Sequence, residues 1–474
     1  MGSTNAVTRR RLVKSMGTIG LGASLAGCGG NGNGDGDGDG DGNGNGDGNG
    51  TDGGDADEGE EVGSLEVNSW AWLVHGELME NEIGPEFANR TNHTWSGRVI
   101  PADQVESTLT QAFQTQSGLP DSTMLRAQLK RSFAQNGGLL QLDDLISENE
   151  DRYFDLAKTK MRVDDGTALQ LEGEGSYYSG EQDLGPMLWF YNKDLFAEAG
   201  LPTDPADVEE EIQTYQQLID AGEDLESETG AKMLTFPRSG ILSGLPTALQ
   251  HQLSETGRFY NEDLEFEYDR ESNRQAFEIL VQLDEINAAA EFFSGTYWQQ
   301  FRDGDVASGI APGWFIKFPK RNLGDMDASF GVAKIPMVDD IVQGAGTPRA
   351  ANKGGATVGI PAALDSDRVD VAREFTDFWL HSDFKVRTYV EAGNTPGVYN
   401  EGVDLDSVLD DFYDGQTIME KAIEVADECN DQYNVPSPTV RDLEEEAARL
   451  IVQEGADIDE TVSSTHEEMV SDLS

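Results

Sequence analysis

From residue 65 onward, hydrophobic positions recur with two different periods. Leu65-Glu66-Val67-Asn68-Ser69-Trp70 alternates and predicts a strand, and Leu78 to Arg90 predicts a helix. A short strand near Arg98 to Ile100, a helix from Val105 to Gln116 and an extended segment after Gly118-Leu119-Pro120-Asp121 follow. Lys130 to Gln135, closed by Gly137-Gly138, has the form of a helix with its terminating glycines. Val371 to Leu380 and Met419 to Cys429 predict further helices, the first with Val371, Phe375, Phe378 and Trp379 on a core-facing side. Repeated strand–helix units imply an α/β fold with mainly parallel sheets flanked by helices, which bind ligands at the carboxyl ends of their strands. Trp70 and Trp72 end the first strand and are therefore candidate ligand-facing aromatics, although large aromatics also fill cores.

The first 64 residues follow another pattern. Arg9, Arg10, Arg11 and Lys14 precede a weakly apolar run to Ala26 that is too short to span a bilayer of about 30 Å, which predicts a cleaved signal over 1–27. The paired arginines resemble a twin-arginine export signal, and Leu25-Ala26-Gly27-Cys28 resembles the lipobox at which Cys28 is lipidated. Residues 28–64 are Gly, Asp and Asn grading into acidic residues, a composition that buries nothing and predicts a disordered tether spanning roughly 30–36 Å. Asp35, Asp37 and Asp39 imitate the start of a calcium loop, but its twelfth position is Gly46, with no bidentate Glu.

Charge narrows the partners. The formal net charge is −56, and 65–474 alone holds 78 acids against 29 bases, with no single acidic block. Nucleic acid and anionic lipid surfaces need basic clusters, which are absent. A distributed excess of this size repels itself in ordinary buffer and points to a salt-loving source, since about 1 M salt shortens the Debye length to about 3 Å. The cysteines are Cys28 and Cys429, so no disulfide framework is available, and Cys429 on its helix is expected to be a small buried hydrophobe.

No catalytic motif stands out. The five histidines are scattered, without HExxH, and neither a GxSxG elbow nor a GxxxxGK[ST] loop occurs. No cofactor or metal is implied. Two carboxylates suffice for a secreted glycoside hydrolase, and with 89 acids such pairs arise by chance, so the residues themselves leave that alternative open.

Ordered motifs decide between these classes. Leu188-Trp189-Phe190-Tyr191-Asn192-Lys193-Asp194-Leu195-Phe196 through Gly200-Leu201-Pro202 resembles the hallmark segment of the extracellular solute-binding proteins of ABC importers, specifically the large sugar-binding, maltose-binding-protein-like family. Gly118 to Asp121 with Gly138 to Asp144, Phe301 to Ala307 ending in Gly313-Trp314, Gly331 to Pro336, and Gly354 to Ile360 fall in the family's order. Tyr177-Tyr178-Ser179-Gly180 only approximates the usual turn, Trp189-Phe190-Tyr191 is bulkier than usual, and Asp204 to Gly230 reads as an acidic insert.

The resemblance implies a two-lobed, periplasmic-binding-protein-like clam, with a first lobe near 65–179 and 350–382 and a second near 180–349 and 383–474. It implies a non-enzymatic receptor, monomeric and held by its lipid on the outer face of the cell membrane, that delivers a sugar to permease subunits with a cytosolic ATPase. A non-sugar solute such as a peptide or polyamine is the alternative. Sugars present an apolar face and a rim of hydroxyls, which selects aromatic platforms and planar polar groups. The candidates are Trp314 and Trp298, then Tyr177 and Tyr178, the loop residues Asn394 and Thr395, and Arg126 and Gln128 after the third strand.

Overall fold

The computed structural model describes residues 64–474 apart from 102–103, 165, 173–174, 239–243, 293, 339–347, 401 and 431–435. The export signal, Cys28 and almost all of the tether lie outside the described residues, as does the side chain of Gln128.

Two sheets organise the globular part. The first has the order β2-β1-β3-β11-β6, built from β1 (Glu66–Trp72), β2 (Thr94–Ile100), β3 (Ser122–Leu125), β6 (Gly180–Glu181) and β11 (Thr357–Gly359). β2, β1 and β3 are parallel, whereas β11 runs antiparallel to both β3 and β6. The second has the order β10-β7-β9-β8, from β7 (Met187–Asn192), β8 (Lys232–Leu234), β9 (Val306–Pro312) and β10 (Phe330–Lys334). Only its β8–β9 pair is parallel. Both sheets are therefore mixed, with half of the pairings parallel in the first and one of three in the second. In the second the reason is topological: β7 leads away from the crossing between lobes, while β9 and β10 return towards it. A small ladder of β4 (Arg162–Val163) and β5 (Ser176–Tyr177) stands apart.

β7 shows why the second lobe needs bulky residues. All six of its positions are buried, as expected of a central strand covered on both faces. Trp189 and Tyr191 enter one core with Phe196, Tyr215 and Leu218, while Leu188 and Phe190 enter another with Phe301, Phe330 and Val332. The strand ends where Asn192 Oδ1 accepts from the backbone N–H groups of Asp194 and Leu195 and so caps the next helix. The acidic stretch from Asp204 forms a helix pair, Pro205–Glu211 and Tyr215–Thr229. Thr214 and Gln217 form a capping box, and Tyr215, Leu218, Ile219 and Leu225 bury the apolar stripe. Its acids occupy the remaining face.

Three stretches of chain run side by side between the sheets. Met187 N–H donates to Ala351 O (2.7 Å), Lys353 N–H to Gly185 O (2.8 Å), Leu184 N–H to Thr395 O and Gly397 N–H to Gln182 O (3.0 Å each). The approach is so close that a Cβ on Gly185 would lie 2.0 Å from the Lys353 carbonyl oxygen. Helix Asp383–Glu391 packs back on the first lobe, with Tyr389 stacked on His75 at 5.5 Å.

Candidate functional site

The site is built around these crossings, where the ends of β1, β3 and β9 converge. β9 delivers Gly313 and Trp314, the latter half-buried in a short turn. Trp314 Nε1 donates to the carbonyl of Lys353 (3.0 Å), and its ring stands edge-on to Phe315. Gly354 has φ +86° and would place a Cβ 2.9 Å from Trp314 Nε1, so only glycine lets the crossing chain lie against the indole.

Asn394 and Thr395 meet the same place from the third crossing. Both are fully buried; Asn394 Oδ1 accepts from Lys317 Nζ, and among the described residues Asn394 Nδ2 and Thr395 Oγ1 have no hydrogen-bond partner. A Cβ on Gly313 would lie 3.1 Å from Thr395 Oγ1, which puts that hydroxyl beside the Trp314 turn. Buried polar groups are nearly always paired, so these two atoms have unused bonding capacity that a water or, after an opening of the site, a ligand could take up.

Four further residues of the site have no motif in the sequence: His75, Asp183, Lys317 and Lys353. Asp183 lies 3.2 Å from His75 Nε2 and accepts from Ala356 N–H (2.9 Å). Burial pushes the Asp183 carboxyl up, but His75 and that amide outweigh it and hold it below the ordinary value. Lys317 follows Trp314 by three residues, and burial drives its pKa down to about 7 against the pull of Asp183 and Glu77. Lys353 Nζ reaches Thr247 Oγ1 at 3.4 Å; burial, then the like charge of Arg258, brings it to about 7. The signal that could have found them is composition, because lysine is scarce here and two lysines sit within a few residues of Trp314 or of the Gly354-Gly355 pair.

Behind this front lies a buried charged layer. Lys160 Nζ pairs with Glu181 at 2.5 Å and donates to Gly354 O at 2.7 Å, and Lys130 Nζ donates to Lys160 O. Burial raises the Glu181 carboxyl, partly offset by Lys160 and Lys130, and burial lowers Lys130 to about 7. Lys385 Nζ donates to Gln182 O on the crossing.

Of the remaining candidates, Trp298, Trp70, Trp72 and Tyr177 are buried. Trp298 is 8% exposed and stacks on Phe315 at 5.6 Å and 11°, in the second-lobe core. Trp70 and Trp72 are each 6% exposed, and Arg98 lies over the Trp70 ring at 4.9 Å. Tyr177 is buried, donates to Glu150 Oε1 (2.7 Å) and lies under Arg162, while Tyr178 and Arg126 are half-buried. Cys429 is half-buried against the second-lobe core and burial raises its thiol pKa. A separate hollow of about 600 Å³, lined by Arg302, Lys320, Arg321, Asp325 and Phe412 among others, contains none of these residues. Among the described residues no helix is long and apolar enough to cross a membrane, and no group of three or more His, Cys, Asp and Glu could hold a metal ion.

Two α/β lobes joined by hydrogen-bonded crossings, with an indole and orphaned polar groups gathered beside them, define a two-lobed solute receptor. Residues 86–411 match the family of bacterial extracellular solute-binding proteins, and the chain belongs to that family. It is a family of binding proteins, which removes the glycoside hydrolase alternative. The arabinooligosaccharide-binding protein of Halalkalibacterium halodurans is 25% identical over 391 residues, covering 78% of this chain and 81% of its own. Among solved structures, an extracellular solute-binding protein of family 1 aligns with a TM-score of 0.70 at 17% identity, over 86% of this chain and 100% of that one. The galacto-N-biose-/lacto-N-biose I-binding protein of a Bifidobacterium longum ABC transporter gives 0.69 at 17% identity, over 88% and 98%. The cyclic alpha-maltosyl-1,6-maltose binding protein of Arthrobacter globiformis gives 0.67 at 19% identity, over 87% and 99%. At these identities the structures establish the shared fold.

Proposed function

We propose that this protein captures a saccharide between its lobes and delivers it to the membrane subunits of an ABC importer. The observation that carries the reading is the half-buried Trp314 beside the orphaned Asn394 and Thr395 side chains, an aromatic platform next to hydrogen-bonding groups. Such a pair suits a pyranose or furanose, whose C–H face stacks while its hydroxyls bond. The relatives named for arabinooligosaccharide, lacto-N-biose and cyclic maltosyl-maltose support the same ligand class. Closure is driven by the ligand's differential affinity for the closed arrangement.

The export address and Cys28 extend the reading: the chain leaves the cell by the twin-arginine route, is lipidated at Cys28 and works as a monomer on the outer membrane face, with 28–64 as its tether. The lobe division expected near 65–179 with 350–382 and 180–349 with 383–474 shifts slightly, because β6 belongs to the first sheet and helix Asp383–Glu391 packs on the first lobe. A thermal-shift screen in molar salt tests the ligand class: a bound sugar at about 100 times its Kd adds about 2.7 kcal/mol and raises Tm. A response to peptides or polyamines, with none to any sugar, would replace the saccharide reading.

A further inference from the structure

Two lysines at the site touch no carboxylate among the described residues. Among the described residues neither Lys317 nor Lys353 has a carboxylate within ion-pair distance; Lys317 donates to the neutral Asn394 amide and Lys353 to the Thr247 hydroxyl. The charges around them are already committed. Asp183 is held by His75 and by Ala356 N–H, and Glu77 is exposed. Arg258, a like charge to Lys353, lies 3.4 Å from Glu444, and the neighbouring Arg441 and Glu445 pair with one another at 3.1 Å. Cations and carboxylates around the two lysines balance in number, but each of these carboxylates is paired with another group or exposed, and none touches Lys317 or Lys353.

Desolvated ammonium groups are costly unless an opposite charge compensates them. Hydroxyls of a neutral sugar would leave both uncompensated, whereas a carboxylate answers them at contact distance. We infer that the saccharide taken by this protein carries carboxylates, as a uronic-acid oligosaccharide does, and that Lys317, beside the Asn394 loop, and Lys353, on the crossing that meets Trp314, each receive one. This rests on the saccharide reading above and names its class. Burial lowers both lysines to about 7, as expected of cations waiting for a counter-ion. The acidic shell does not prevent the encounter, because in molar salt its field decays over about 3 Å and only contact-range charges remain to select the ligand.

Calorimetry on the full chain in molar salt tests this with trigalacturonate, its neutral galactose counterpart and a sugar phosphate. The expected result is that trigalacturonate binds about tenfold or more tighter than either of the others. Lys317→Met and Lys353→Met should each cost about tenfold more affinity for the acidic than for the neutral sugar, with Lys→Arg variants recovering part of the loss. Circular dichroism and Tm of each variant identify any that fail to fold, and the wild-type preference decides the question without them. Equal affinity for acidic and neutral sugar, or preference for the phosphate, overturns the carboxylate inference and leaves the saccharide reading standing. Binding to no saccharide by folded protein, together with a response to a peptide or polyamine, overturns both.

Discussion

The outer shell and the layer around the crossings use charge in opposite ways. Over 65–474 the chain is net −49, and its surface pairs are loose: Arg90 and Glu86, 2.7 Å apart, expose 51% and 27% of their side chains. Around the crossings lysine, otherwise scarce and usually solvated, is drawn inward: Lys130, Lys160 and Lys385 are buried, and Lys317 and Lys353 half-buried. Shell charge acts collectively, through hydration and repulsion, and no one residue matters much. Interior charge acts one residue at a time, because each ion is tied to a particular oxygen.

That contrast can be broken most strongly at Asp183. Asp183→Ala removes the partner of both His75 and the Ala356 amide inside the crossing, and a loss of about 3–5 kcal/mol is expected by denaturant unfolding in molar salt. A loss below 1 kcal/mol would mean that this buried pair behaves like the shell. Next comes Trp314→Ala, expected to weaken ligand binding by about a hundredfold, or about 2.7 kcal/mol, while shifting Tm much less than Asp183→Ala does.

The pH response should separate the layers as well. Lys130 binds its proton more weakly in the folded chain, at about 7, than an ordinary lysine at 10.5. Between those values the unfolded chain holds more protons, so stability should rise with pH from about 7 towards 10. Lys385, also fully buried and at about 7, adds to the same rise. Lys130→Met should flatten the slope, as read from melting curves taken across the window. The smallest effect belongs to the shell: Glu86→Gln deletes an exposed i,i+4 pair and should change stability by no more than about 0.5 kcal/mol.

Much of the fold was legible in local pattern. β1, β2, β3 and the helices Val105–Thr115, Ser366–His381 and Ile418–Asp427 fall where period and terminating residues place them, because those signals are short-range. Position along a strand was less informative for the site. Trp314 and Trp298 look alike in sequence, yet one is half-buried against a crossing and the other stacks inside a core. Trp70 and Trp72 end β1 as expected, but Arg98 lies over Trp70 and both indoles are 6% exposed. In the acidic stretch from Asp204 the charges hid the apolar stripe of Tyr215, Leu218, Ile219 and Leu225, so its helices were not legible. His75 and Asp183 are 108 residues apart, so no window of sequence contains their contact.

By itself, then, the sequence determined what depends on neighbours along the chain: the strand–helix rhythm, the acidic character and the order of motifs that marks the family. Only the tertiary structure decided which aromatics face the crossings, which polar atoms are left without partners, and that five of the twelve lysines gather where the chain passes between the lobes. Those outcomes depend on burial and on contacts between segments distant in sequence. The free energy of a charge or an indole is set by what surrounds it in space.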